Sequence, residues 1–130
     1  MNFLADTHVL IWWFTGSEQL SRKVRNTMSH RTAVLWVSAV SVWEMAIKTG
    51  KGHLELDLSL QEIIAIFFKE GWRSLPITIE HALAVQDLPL IHKDPFDRML
   101  VAQAQSEGLT LVTADPKISA YDVRTIDASL

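Results

Sequence analysis

Four acidic side chains stand where strands give way to helices. Asp6 follows a short apolar run, residues 2–5, and Asp115 follows a second, residues 109–113. Glu44 falls in the second turn of an apolar helix that leaves a β-rich segment, and Asp97 in the first turn of a helix opened by Asp94-Pro95. Carboxylates gathered at one edge of a sheet repel one another, so they must protonate, pair with cations or hold a metal. Hard oxygen donors in a chain without cysteine suit Mg2+ or Mn2+ rather than zinc. An ion held this way can lower the pKa of a bound water and stabilise charge on a phosphoryl oxygen, so no protein nucleophile is needed. Phosphodiester hydrolysis is the reaction such a cluster serves best.

Each acid also has a plain structural explanation. Asp6 fits an N-cap, and Ser41 and Glu44 have the spacing of a capping box if their helix begins late. Asp94, Pro95 and Asp97 fit N-cap, N1 and N3, and Asp115-Pro116 is another cap pair. Two observations weaken this explanation. Glu44 is surrounded by Val40, Val42, Trp43, Met45, Ala46 and Ile47 on a helix with scarcely a polar face, where Ser38 already offers a better cap. Glutamate is almost never buried without a partner. Asp97 shares a face with Leu100, Val101 and Ala104, which turns it toward the core side.

The elements that must position these acids alternate along the chain. Strands are expected at 2–5, 33–37, 74–77, 109–113 and 123–126. Helices are expected at 7–14, 19–29, 39–48, 60–70, 79–86 and 95–107, with a turn of helix at 116–120. Gly16, Gly50, Gly71 and Gly108 read as helix stops. Residues 53–58 alternate polar and apolar, so an extended segment is expected there with Leu54, Leu56 and Leu58 inward. Strand–helix alternation implies an α/β fold: a three-layer α/β/α arrangement with a central, mainly parallel sheet and right-handed crossovers. Ligands bind such sheets beyond the carboxyl ends of the strands, where the four acids should meet.

With 130 residues, 48% hydrophobic and 21% charged, the chain has the size and composition of one globular domain, 1–130. Its longest uninterrupted apolar runs span six residues, against about 20 for a membrane span. No secretory leader is visible, so a soluble, cytoplasmic protein is expected. The net charge of −3 argues mildly against nucleic acid. Between Glu18 and Glu44, however, Arg22, Lys23, Arg25 and Arg31 meet no acid, which reads as a solvated helix face or as a phosphate-steering edge.

Four segments resemble the motifs of PIN domains. Phe3-Leu4-Ala5-Asp6-Thr7-His8 is similar to their opening strand, and Val37-Ser38-Ala39-Val40-Ser41-Val42-Trp43-Glu44 to their second motif. Asp94-Pro95-Phe96-Asp97-Arg98-Met99-Leu100-Val101-Ala102-Gln103-Ala104 is similar to the third, and Leu111-Val112-Thr113-Ala114-Asp115 to the fourth. The resemblance covers nearly the whole chain, in order, and looks closest to VapC-type toxins of bacterial toxin–antitoxin systems. It implies an endoribonuclease dependent on Mg2+ or Mn2+, a homodimer, and inhibition by a small antitoxin protein. It also implies that Asp6, Glu44 and Asp97 bind metal, that Asp115 completes the catalytic site, and that Thr7, Ser41 or Thr113 orient the carboxylates. The third motif departs from the family, with Val101 at a usual alanine position and Asp94 as an added acid. Asp97 is taken as the ligand and Asp94 as the cap.

Arg98, beside Asp97, is the basic residue placed to touch a substrate phosphate; an ion pair with a neighbouring acid is the alternative. The five histidines lack metal-site spacing and are read as surface or supporting residues. Trp12, Trp13 and Phe14 read as core or dimer interface. Competing functions are a non-catalytic PIN-like module that binds RNA or protein, and a phospho-acceptor signalling domain. The second would carry paired acids after strand one, where Thr7 and His8 stand, and a haloacid-type phosphohydrolase would need an aspartate in place of His8.

Overall fold

The computed structural model describes every residue except His53 and Glu55. Five strands, β1 (Asn2–Ala5), β2 (Val34–Ser38), β3 (Arg73–Leu75), β4 (Thr110–Thr113) and β5 (Thr125–Asp127), form one all-parallel sheet in the order β3-β2-β1-β4-β5. Its helices are α1 (Thr7–Thr15), α2 (Arg22–Met28), α3 (Ala39–Gly50), α4 (Leu60–Lys69), α5 (Ile79–Ala84), α6 (Pro95–Glu107) and α7 (Pro116–Ser119). None of the described helices is long and apolar enough to cross a membrane.

Period-2 alternation divides the interior into two cores. Phe3 and Ala5 of β1, with Val112 of β4, face Val9 and Leu10 of α1, Val24 and Met28 of α2, and Ile63 and Phe67 of α4. Leu4 and Leu111 face the opposite way, against Leu100, Val101 and Ala104 of α6 and Ile118 of α7. The central strands are therefore buried on both faces, and their sequences read as continuous apolar runs. α3 reaches into both cores through Met45 and Val40, which places it across the carboxyl end of β2.

Trp13 packs edge-on against Trp72 with ring centroids 5.5 Å apart, and Phe14 lies 6.3 Å from Phe67, so the aromatic run of α1 belongs to the core. Arg25 stacks over Trp13 at 5.2 Å and donates to the carbonyls of Trp12 and Trp13. It is a packing residue rather than part of a phosphate-steering edge. Arg22, Lys23 and Arg31 are exposed, as a solvated face requires.

Several boundaries differ from the expectation. α2 starts at Arg22 because the Ser21 hydroxyl caps it. α3 continues through Gly50, and the left-handed turn falls at Gly52 instead, with φ 73°. The 79–86 helix is cut short at Ala84 and continues as a 3-10 turn, Val85–Asp87. In the segment expected to be extended, His53 and Glu55 lie outside the described residues. Leu54 and Leu56 pack on the core without joining a strand. Leu58, expected inward, is 37% exposed because the chain bends there toward the Ser59 cap of α4.

Candidate active site

The strand order reverses between β1 and β4, which neighbour one another while their outgoing connections run to opposite sides of the sheet. Such a switch point opens a crevice at the carboxyl ends of the strands. Asp6 and Asp115 leave from those two strands, and both are helix caps: Asp6 Oδ1 accepts from the Val9 amide at 2.8 Å, and Asp115 Oδ1 from the Lys117 amide at 2.9 Å. Capping uses only one oxygen of each. Asp6 Oδ2 accepts from the Thr113 hydroxyl at 2.5 Å, and that hydroxyl in turn accepts from the Asp115 amide at 3.0 Å.

Ser38, not Ser41, caps α3, so the proposed capping box does not form and Glu44 is released from that role. Glu44 is 3% exposed. The Thr7 hydroxyl has Glu44 Oε1 at 2.7 Å and Ser41 Oγ at 3.0 Å. A carboxylate cannot donate, so the Thr7 proton goes to Glu44 and Ser41 donates to Thr7. Glu44 Oε2 receives Lys48 Nζ at 2.5 Å, one turn along the same helix. Asp94 caps α6, its Oδ1 accepting from the amides of Phe96 at 2.8 Å and Asp97 at 3.2 Å, which leaves the Asp97 side chain unused by the helix.

The four acids are close enough to feel one another. Burial comes first in raising the Asp97 carboxyl to about 7, followed by the negative charges of Asp94, Glu44 and Asp6, with His92 opposing. Asp6 is also raised, chiefly by burial and to a lesser degree by Asp115, against the lowering effect of Thr113, Val9 and His8. Nε2 of His92 lies 2.9 Å from Asp115 Oδ2 and 3.1 Å from Asp97 Oδ2.

Thr7 thus touches Glu44, Ser41 touches Thr7, and Thr113 touches Asp6. Arg98 does not reach toward them. Its guanidinium donates to the carbonyls of Pro89 at 3.0 Å and Val85 at 3.1 Å, and to the Tyr121 hydroxyl at 3.2 Å. Among the described residues it forms no ion pair, so the expected pairing with a neighbouring acid gives way to a loop-anchoring contact. Lys48 and His92 were not singled out from the sequence. Lys48 had a signal, its place four residues after Glu44. His92 had none in its spacing, since the fold alone carries it to the acids. His81, also read as a surface or supporting residue, is buried instead and completes the α5 cap through Nδ1.

Asp94→Ala should cost about 1 kcal/mol of stability through the lost cap. The Asp97 side chain should keep its contact with His92, because the Asp94 side chain serves the helix. Thermal melts check the first expectation, and an unchanged melting temperature would mean that Asp94 does not act as the cap.

Comparison with known proteins places this geometry. Ribonuclease VapC22 of Mycobacterium tuberculosis is 29% identical over 123 residues, covering 91% of this chain and 90% of that one. The VapBC2 structure of Rickettsia felis, bound to a DNA fragment from its promoter, superposes with a TM-score of 0.72 at 13% identity over 97% of this chain and 98% of that one. VapBC-1 of nontypeable Haemophilus influenzae gives 0.67 at 17% identity over the full length of both. The PIN domain family model matches residues 3–124, and with that span matched the chain belongs to the PIN domain family.

Proposed function

We propose that this protein is a metal-dependent endoribonuclease, the toxin of a toxin–antitoxin pair, hydrolysing RNA phosphodiester bonds. The observation that carries this reading is that acids from four distant segments act on one another at the carboxyl ends of the strands: Glu44 and Asp6 on Asp97, and Asp115 on Asp6. There their mutual repulsion helps to raise Asp97 to about 7. That crowding is relieved when a cation enters, and the donors are hard oxygens with no thiolate among them, which fits Mg2+ or Mn2+. Asp6, Glu44, Asp97 and Asp115 would hold the ion, with Thr7, Ser41 and Thr113 fixing their rotamers. Bound there, the ion would supply an activated water and charge stabilisation at the phosphoryl oxygen. The chain's own part is to hold the carboxylates aligned at the strand ends.

RNA as substrate rests on the likeness to Ribonuclease VapC22. The antitoxin partner rests on the likeness to toxin–antitoxin complexes. An apolar groove between α3 and α4, lined by Val42, Ala46, Ile64, Ala65 and Phe68, suits an amphipathic segment of such a partner. Exposed Trp43, Ile79 and Leu83 suit a homodimer contact. A cytoplasmic site of action follows from an RNA target.

The test incubates the purified protein with mixed structured RNAs in Mg2+, in Mn2+ and in EDTA. Discrete cleavage confined to the metal-containing reactions is expected. Equal cleavage in EDTA sinks the metal requirement. Intact RNA in all three, together with unimpaired growth on induced expression, sinks the toxin reading.

A further inference from the structure

Nothing in the four-acid reading uses His92, yet the structure holds this side chain at both ends and from behind. Its Nδ1 faces the Asp94 amide at 3.2 Å. An amide N–H can only donate, so Nδ1 is kept as an acceptor and the ring proton sits on Nε2. Nε2 in turn faces Asp115 Oδ2, a carboxylate acceptor, at 2.9 Å, with Asp97 Oδ2 beside it. The backbone of His92 is pinned as well, its amide donating to the Tyr121 hydroxyl at 2.9 Å. Tyr121 is buried, and Arg98 ties the same hydroxyl to the carbonyls of Pro89 and Val85.

His92, Asp97 and Asp115 also bring three donor atoms close enough to hold a metal by themselves. The tautomer decides between the two roles. A metal-ligating Nε2 must have lost its proton, which would put a proton on Nδ1 directly against the Asp94 N–H.

We propose that His92 is a positioning residue and not a metal ligand: its Nε2–H clamps Asp115 Oδ2, and the same nitrogen holds Asp97 Oδ2 alongside at 3.1 Å. The Arg98–Tyr121 anchor exists to hold this donor in place, which gives Arg98 a purpose that its position beside Asp97 did not suggest. The inference rests on the metal-nuclease reading for its consequence, but the hydrogen-bond assignment stands independently of it.

The experiment is a long-range 1H–15N correlation spectrum of the imidazole rings in the full protein, recorded in EDTA and then with saturating Mg2+. The expected result is an Nε2–H tautomer for His92 in both states. An Nδ1–H tautomer in EDTA overturns the clamp, and loss of Nε2–H on adding Mg2+ makes His92 a ligand. If calorimetric titration shows that the wild type binds neither Mg2+ nor Mn2+, the metal-nuclease reading fails, while the EDTA spectrum still decides the clamp. In a protein that binds Mg2+, His92→Leu should weaken binding about 10- to 100-fold, the range typical of groups that support metal ligands. His92→Gln keeps a donor near the Nε2 position and should restore affinity to within a few-fold. A Leu variant that binds Mg2+ like the wild type would refute the positioning role.

Discussion

In EDTA at neutral pH, Asp97→Asn should melt above the wild type by about 5 °C, and excess Mg2+ should reverse the order. The folded Asp97 carboxyl titrates near 7 against an ordinary 3.8. Between those values the folded chain binds the proton and the unfolded chain does not, so metal-free stability falls as pH rises. The destabilisation is absent below about pH 4 and complete above about pH 7. A partly open crevice screens the repulsion, and relief on the order of 1–2 kcal/mol corresponds to the shift named, for a chain of this size. The Asn variant should lack that pH slope. With Mg2+ at a hundred times its Kd, the wild type gains about 2.7 kcal/mol, while a variant missing a ligand gains far less. RNA cleavage by Asp97→Asn should drop on the order of a hundredfold or more, beyond the usual loss for a merely supporting group. If Mg2+ stabilises both proteins equally, Asp97 does not hold the ion.

That reversal depends on two acids three residues apart having different jobs, and the sequence separates them. Asp94 before Pro95 could be read as the cap because proline fixes the first helical turn, and the structure agrees. Glu44 could be read as buried because its helix offered no polar face. The parallel sheet followed from strand–helix alternation, since apolar runs of four or five residues separated by helices have few other ways to pack. What escaped was anything set by side-chain reach across the crevice. Arg98 was assigned by its neighbour in sequence, but a half-buried guanidinium seeks the densest set of carbonyls, and these lie on the 85–89 segment. His92 reads only as a surface or supporting residue because its partners lie five and 23 residues away, on α6 and at the start of α7, with no periodicity linking them. Leu58 departs from the expectation because alternation predicts an inward side only where a strand forms, and the described residues there form none.

Thr113→Val should be the most informative change that leaves every carboxylate in place. Valine has nearly the volume of threonine, so the buried strand end of β4 keeps its packing and loses only the hydroxyl. That hydroxyl serves two groups, donating to Asp6 Oδ2 and accepting from the Asp115 amide. Removing it leaves a 3%-exposed carboxylate short of a donor and an amide short of an acceptor, at a cost of about 1–3 kcal/mol. Thr113 is also the foremost influence holding the Asp6 carboxyl down against burial, so its loss lets that carboxyl rise further. Fewer Asp6 side chains are then ionised, and metal binding should weaken about 10- to 100-fold and move its pH midpoint upward. Thr113→Ser, which retains the hydroxyl, should recover the affinity and the midpoint even if it loses some stability through the missing methyl. A double-mutant cycle with Asp6→Asn should return a coupling within the roughly 0.5–3 kcal/mol range expected of groups in direct contact. Additive effects, or a valine variant whose Mg2+ affinity is unchanged at every pH, would mean that Asp6 is aligned by its capping bond to Val9 alone.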